Sequence, residues 1–198
     1  MPHDEQERAQ VALTLERYQE GYARRDPARL DAFMALFVDD AELEVIGTGA
    51  LTPGEDEWCL GPSAVRRLVA SDWEGWGDLE IDTEGARIHI LGDVAWVSTA
   101  GTVTDAETEE QSIADSVERV RWILGQEMAE EERLLEIVRE STGTLVELRR
   151  GTVYVWPIRF TAVLVKRGGR WRFHQMQFSF ATAGLPDVRL PVDEGAEE

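Results

Sequence analysis

Arg159-Phe160-Thr161-Ala162-Val163-Leu164-Val165 and Trp171-Arg172-Phe173-His174-Gln175-Met176-Gln177-Phe178-Ser179-Phe180, with Gly168-Gly169 between them, decide the fold. Both stretches are rich in β-branched and aromatic residues, and two glycines supply the positive φ that reverses an antiparallel pair with the correct twist. Strict alternation puts His174, Met176, Phe178 and Phe180 on one face of the second strand. It puts Trp171, Phe173, Gln175, Gln177 and Ser179 on the other. Neither face reads as plainly solvent-facing. The hairpin therefore predicts a sheet covered on both sides, with helices or a partner subunit on one face and a pocket on the other.

Upstream, Val11, Leu15, Tyr18 and Tyr22 recur at helical spacing and predict a helix over 5–24. Asp26-Pro27 restarts the chain, aspartate as cap and proline in the first turn of a second helix with Leu30, Phe33, Met34 and Phe37 inward. A short strand is expected over 41–46, then a rim loop with Gly47, Gly49, Pro53 and Gly54 that ends in Glu55-Asp56-Glu57-Trp58-Cys59-Leu60. Gly61-Pro62-Ser63 opens a third helix with Val65, Leu68 and Val69 inward and Trp73 and Trp76 near its end. Strands follow at 79–84, 86–91 and 94–104, the last two joined at Gly92-Asp93. Residues 105–150 break the pattern: Ile113, Val117, Val120, Leu124 and Met128 recur every three or four positions, and Leu134, Leu135 and Val138 continue the stripe. This predicts a helical insertion, as one long helix with a weak point or as two helices. Residues 186–198 read as an acidic tail, and the whole of 1–198 as a single domain carrying the insertion.

Composition narrows the function classes. A chain of 198 residues, 43% hydrophobic and 30% charged, can bury a core without staples. The net charge of -19 repels phosphate backbones and anionic lipid, so nucleic acid and membrane are not expected partners. No apolar run is long enough to span a bilayer and the N-terminal residues lack signal-peptide character, which makes a cytoplasmic protein the expectation. One cysteine, Cys59, and three histidines allow neither a disulfide nor a thiolate or imidazole metal cluster. The glycines fall at turns and no nucleophile elbow is present, so no cofactor is expected.

Several phrases in order carry a resemblance: Arg17-Tyr18, Ala35-Leu36-Phe37-Val38-Asp39-Asp40-Ala41, Gly61-Pro62-Ser63-Ala64-Val65-Arg66, Gly92-Asp93-Val94-Ala95-Trp96-Val97, and Gly169-Arg170-Trp171-Arg172-Phe173. With them the chain resembles the nuclear transport factor 2-like superfamily, in its SnoaL-like branch, everywhere except over 105–150. The resemblance implies an α+β fold in which three N-terminal helices pack on a curved antiparallel sheet, forming a cone with a pocket, often dimeric through the outer sheet face. It implies no single activity, since one fold hosts many. Against the ketosteroid isomerase branch, Tyr18 matches the phenol position, but the base falls on Val45 and the second acid near Pro157, neither of which transfers a proton. A register shift of one residue would make Glu44 the base.

The candidate site residues follow from that cone. His174 is the acid-base candidate, with Tyr18 and Arg159 as electrophilic partners. Tyr18, Tyr22, Trp58, Trp96, Arg159, Thr161, His174, Met176 and Phe178 are expected to line the hollow and bind a ligand. Three readings stand: a homodimeric module that binds a small apolar or aromatic molecule; an enzyme of the isomerase, cyclase or dehydratase type; and a protein-interaction module using the inserted helix as lid, dimer embrace or docking surface.

Overall fold

A computed structural model describes residues 2–180; the expected acidic tail lies outside them. Helix α1, Pro2–Arg24, buries Val11, Leu15, Tyr18 and Tyr22 in one stripe. The second helix is shorter than its apolar spacing implies. Asp26 accepts from the Ala28 amide at 3.0 Å and starts a single 3₁₀ turn, Pro27–Arg29, which leads into α2, Leu30–Met34. Phe37 lies beyond it, in a parallel bridge to Phe173. Helix α3, Pro62–Gly75, completes the N-terminal set.

Among the described residues seven strands form one curved, open sheet: β1 Glu44–Ile46, β2 Trp58–Leu60, β3 Asp78–Ile81, β4 Arg87–Leu91, β5 Val94–Ala106, β6 Val153–Arg167 and β7 Arg170–Phe180. The order is β2-β1-β7-β6-β5-β3, with β4 also paired to β5. The sheet is mixed where an antiparallel one was expected, because β1 runs parallel to β7. The β6–β7 turn is as read, with Gly168 and Gly169 at φ of 59° and 75°. Helices α4, Glu109–Leu124, and α5, Glu130–Leu148, stand between β5 and β6. No helix among the described residues is long and apolar enough to cross a membrane.

One residue of β7 reorganises the hairpin. Leu164 pairs with Phe173 but Val163 pairs with Gln175, so His174 is an extra residue in a β-bulge. A bulge inserts one position and resets the alternation. Trp171 and Phe173 before it, and Met176 and Phe178 after it, therefore all face inward and are buried. Strict alternation had divided these four between two faces.

The core lies between this inner face and the helices. Tyr18 is ringed by Tyr22, Phe33, Phe37, Phe160 and Phe173 at centroid distances of 5.0–6.3 Å, within the range where aromatic pairs add to burial. Two polar clamps fix α1 on the sheet. Glu7 accepts from Trp171 Nε1 at 2.9 Å and from Lys166 Nζ at 2.6 Å. Gln19 donates to the Leu79 carbonyl and accepts from the Ile81 amide, which satisfies part of edge strand β3.

Candidate functional site

Helical spacing builds one wall of the hollow from α1, where Tyr18 and Tyr22 stand one turn apart, and another from α3, where Val65, Val69, Asp72 and Trp76 share a stripe. The floor is Phe37, Val45, Met176 and Phe178, and the mouth is Gly47, Thr48 and Glu57 of the 47–57 loop. Space open to a water-sized sphere amounts to about 30 Å³, enough for one water. A wider groove of about 200 Å³ lies between α1 and α2 beside Arg17, Arg24 and Arg29. It lacks the convergent buried polar groups that mark a site, so the narrow hollow is the better candidate.

Its polar end is a hydrogen-bonded chain. Tyr22 Oη donates to Asp72 Oδ2 at 2.7 Å, and the Tyr18 ring lies 5.0 Å from that of Tyr22. Burial pushes the Tyr18 phenol far up, a hydrogen bond with Tyr22 opposing it only in part. Tyr22 is raised by burial and then by the nearby Tyr18 and Asp72. Both phenols stay protonated. Asp72 is pushed up to about 6, first by burial and also by the negative Glu57, against the lowering pull of the Tyr22 hydrogen bond and of Arg25. Arg25 is held at φ 46° and donates to the carbonyls of Tyr22, Trp76 and Gly77, tying the ends of α1 and α3 together behind the site. A carboxyl that titrates near neutrality inside an aromatic slot can hold a ligand's polar group or exchange a proton with it.

This shift has a consequence for stability. The folded carboxyl binds its proton more tightly than the unfolded one, so the stability it contributes is complete below about pH 4 and is lost as pH rises through about 6. Asp72→Asn retains an acceptor for Tyr22 and removes the titration. From pH 4 to pH 7 the wild type is expected to lose on the order of 2 kcal/mol relative to this variant, a figure already reduced for screening at the mouth. Paired melting curves across that range measure the difference, and parallel curves would contradict the assignment.

Of the expected site residues, Tyr18, Tyr22, Met176 and Phe178 meet in the hollow. The other five do not. Trp96 is 46% exposed and stacks on His89 at 5.4 Å on the outer face, because Ala95 and Val97 take the inward positions of β5. Arg159 and Thr161 also face outward, since Ile158, Phe160 and Ala162 are the buried set, and Arg159 donates to the Phe180 carbonyl. His174 sits at the bulge, outside the lining, with a buried Nδ1 that lacks a hydrogen-bond partner. Trp58 Nε1 donates to Glu44 at 2.8 Å, and its ring borders a separate depression with Asp56 and Arg67. That bond also occupies the Glu44 carboxylate, while Val45 faces the hollow, so a one-residue shift does not supply a base. Cys59 is buried on β2, and burial raises its thiol, which disfavours the reactive thiolate.

Asp72 was missed by sequence reasoning, although a signal existed. It occupies the Val65-Val69-Trp76 stripe of α3, and a carboxylate at a core-facing position needs a partner or a task.

The family model described as a SnoaL-like domain matches residues 11–117, more than half of the chain. No curated protein matches. Among solved structures, a candidate dehydratase of the NTF2-like family from Streptomyces avermitilis is 13% identical with a TM-score of 0.58, covering 91% of this chain and 99% of its own. A candidate scytalone dehydratase from Novosphingobium aromaticivorans is 12% identical, with a TM-score of 0.56 and full coverage of both chains. An NTF2-like protein with a cystatin-like fold from the same organism is 11% identical, with a TM-score of 0.54 and coverage of 89% and 83%. At these identities the likeness establishes the fold.

Proposed function

The chain belongs to the SnoaL-like family, and we propose that it binds a small, mostly apolar molecule in the hollow, with the Tyr22–Asp72 pair receiving the ligand's one polar group. The observation that carries this reading is the 2.7 Å pair at the end of a slot walled by Tyr18, Phe37, Trp76, Met176 and Phe178. A neutral carbonyl or hydroxyl suits it, because a carboxyl near half-protonation can donate to the first or accept from the second. The slot holds only one water as it stands, so a ligand enters as the 47–57 loop and its Glu57 move aside.

Thermal-shift measurements with small cyclic ketones and phenols test the reading. A ligand at one hundred times its Kd adds about 2.7 kcal/mol, or roughly 5–10 °C in a domain of this size. Tyr22→Phe is expected to abolish most of that shift for the ligand that gives it. A panel that leaves the melting temperature unmoved, or a shift untouched by Tyr22→Phe, counts against the proposal.

A second reading, proton transfer on a bound carbonyl compound in the manner of an isomerase or dehydratase, is favoured by Asp72 alone, whose pKa of about 6 suits a general acid-base. Asp72 would move the proton and Tyr22 would orient it. Turnover of a shifting ligand that is lost in Asp72→Asn while binding persists would distinguish enzyme from binder.

A further inference from the structure

The groove between α1 and α2 offers a neutral ligand no set of buried polar groups, but its rim is cationic on a chain of net charge -19. Arg17, Gly21 and Arg24 follow at i, i+4 and i+7 on α1, and Arg29 borders the same groove from the end of the 3₁₀ turn. The two acids of the lining are already engaged. Glu20 pairs with Arg24 at 2.6 Å, and Asp26 accepts from the Ala28 amide at 3.0 Å. Arg17 and Arg29 are exposed and have no acidic partner among the described residues. Each therefore presents a free fork of N–H donors, which matches a carboxylate.

The floor is apolar. Gly21 admits α2 so closely that a Cβ there would overlap the Phe33 ring, and Ala32 and Leu36 extend the surface. Trp73 of α3 also borders the groove; it is 8% exposed, and its Nε1 has no hydrogen-bond partner among the described residues. A buried donor left unpaired is rare in a native structure and calls for an acceptor. The open space is about 200 Å³, where a cavity of about 150 Å³ holds a benzene ring.

We propose that this groove is a second binding site, for an organic anion whose carboxylate sits on an aromatic ring or another compact apolar body. Arg17 and Arg29 hold the carboxylate, Phe33, Leu36 and Trp73 receive the ring, and the Trp73 N–H is a further donor to the ligand. Exposed guanidiniums suit a charged head that stays partly hydrated, whereas a neutral polar group gains little from them. The hollow does not compete for such a ligand, because its charged lining residues, Glu57 and Asp72, are both acidic.

Benzoate is the probe, with benzamide supplying the ring without the charge and inorganic phosphate the charge without the ring. Calorimetry of the full chain at pH 7 is expected to give benzoate a Kd on the order of 1 mM, weakened by added salt. Benzamide and phosphate are each expected to bind at least roughly tenfold more weakly. Of the indole N–H signals of the seven tryptophans, the one missing in Trp73→Phe is expected to move on titration with benzoate. Should Trp73→Phe not fold, Overhauser contacts to the Phe33 ring identify that signal instead. Arg17→Gln and Arg29→Gln change only exposed side chains and are each expected to weaken benzoate roughly tenfold. Ala32→Phe, at another exposed position, is expected to fill the groove and abolish binding, while Tyr22→Phe in the hollow leaves it unchanged. An unmoved Trp73 signal at about 10 mM benzoate, equal binding of benzamide or phosphate, or binding that survives the arginine variants or Ala32→Phe would each overturn the proposal. Loss of benzoate binding in Tyr22→Phe would overturn it too, by placing the anion in the hollow.

Discussion

Deleting His174 is expected to remove a cooperative thermal transition altogether, whereas His174→Ala costs less than about 1 kcal/mol. The deletion takes out the bulge that lets Trp171 and Phe173, on one side, and Met176 and Phe178, on the other, share the inner face. Without it one pair must turn outward and a polar residue must turn in, since a strand alternates with period two. Two large side chains leaving the core forfeit about 3–6 kcal/mol of burial, and burying Gln175 and Gln177, or Arg172, without partners costs several more. That total is comparable to the whole stability of a domain. Calorimetry and near-ultraviolet circular dichroism measure it. A deletion variant that melts within a few degrees of the wild type would show that the Gly168-Gly169 turn absorbs the missing residue.

Glu7→Ala carries the second large effect. Its carboxylate is the shared acceptor for Lys166 Nζ and Trp171 Nε1, joining the start of α1 to both strands of the last hairpin. Removing it leaves an ammonium that is only 22% exposed and the buried Trp171 indole N–H without this acceptor. Breaking such a pair from one side costs about 3 kcal/mol, a fall of roughly 6–12 °C in melting temperature for a chain of this length. Glu7→Leu combined with Lys166→Met removes both charges and is expected to recover more than half of the loss, because apolar isosteres bring no desolvation penalty. Additive losses in the double variant would mean that the two charges do not act as a pair.

Particular elements show how far the residues by themselves could be read. The β6–β7 hairpin was legible because Gly168-Gly169 admits positive φ at no steric cost, and α1 because its apolar stripe has one period throughout. The order of helices and strands was also legible from local signals of that kind, except β2, Trp58–Leu60, which reads in the sequence as the end of a rim loop and becomes a strand by pairing with β1. The faces were not. Parity along β7 depends on a bulge, which leaves no mark in composition, and parity along β5 and β6 depends on which side the helices cover. Arg159, Thr161 and Trp96 were therefore assigned inward when their neighbours are the buried ones. The parallel β1–β7 pairing joins residues about 130 positions apart, a contact that no local preference specifies.

The candidate site divides along the same line. Tyr18 and Tyr22 follow from helical spacing, which sets them one turn apart on the buried side of α1. Asp72 acquires its role only when α3 is laid beside α1 and the Tyr22 phenol comes within 2.7 Å of it. Short-range forces, written in each segment, determined which elements form. Long-range packing, which buries a carboxyl 50 residues from its partner and raises it to about 6, decided what those elements can do.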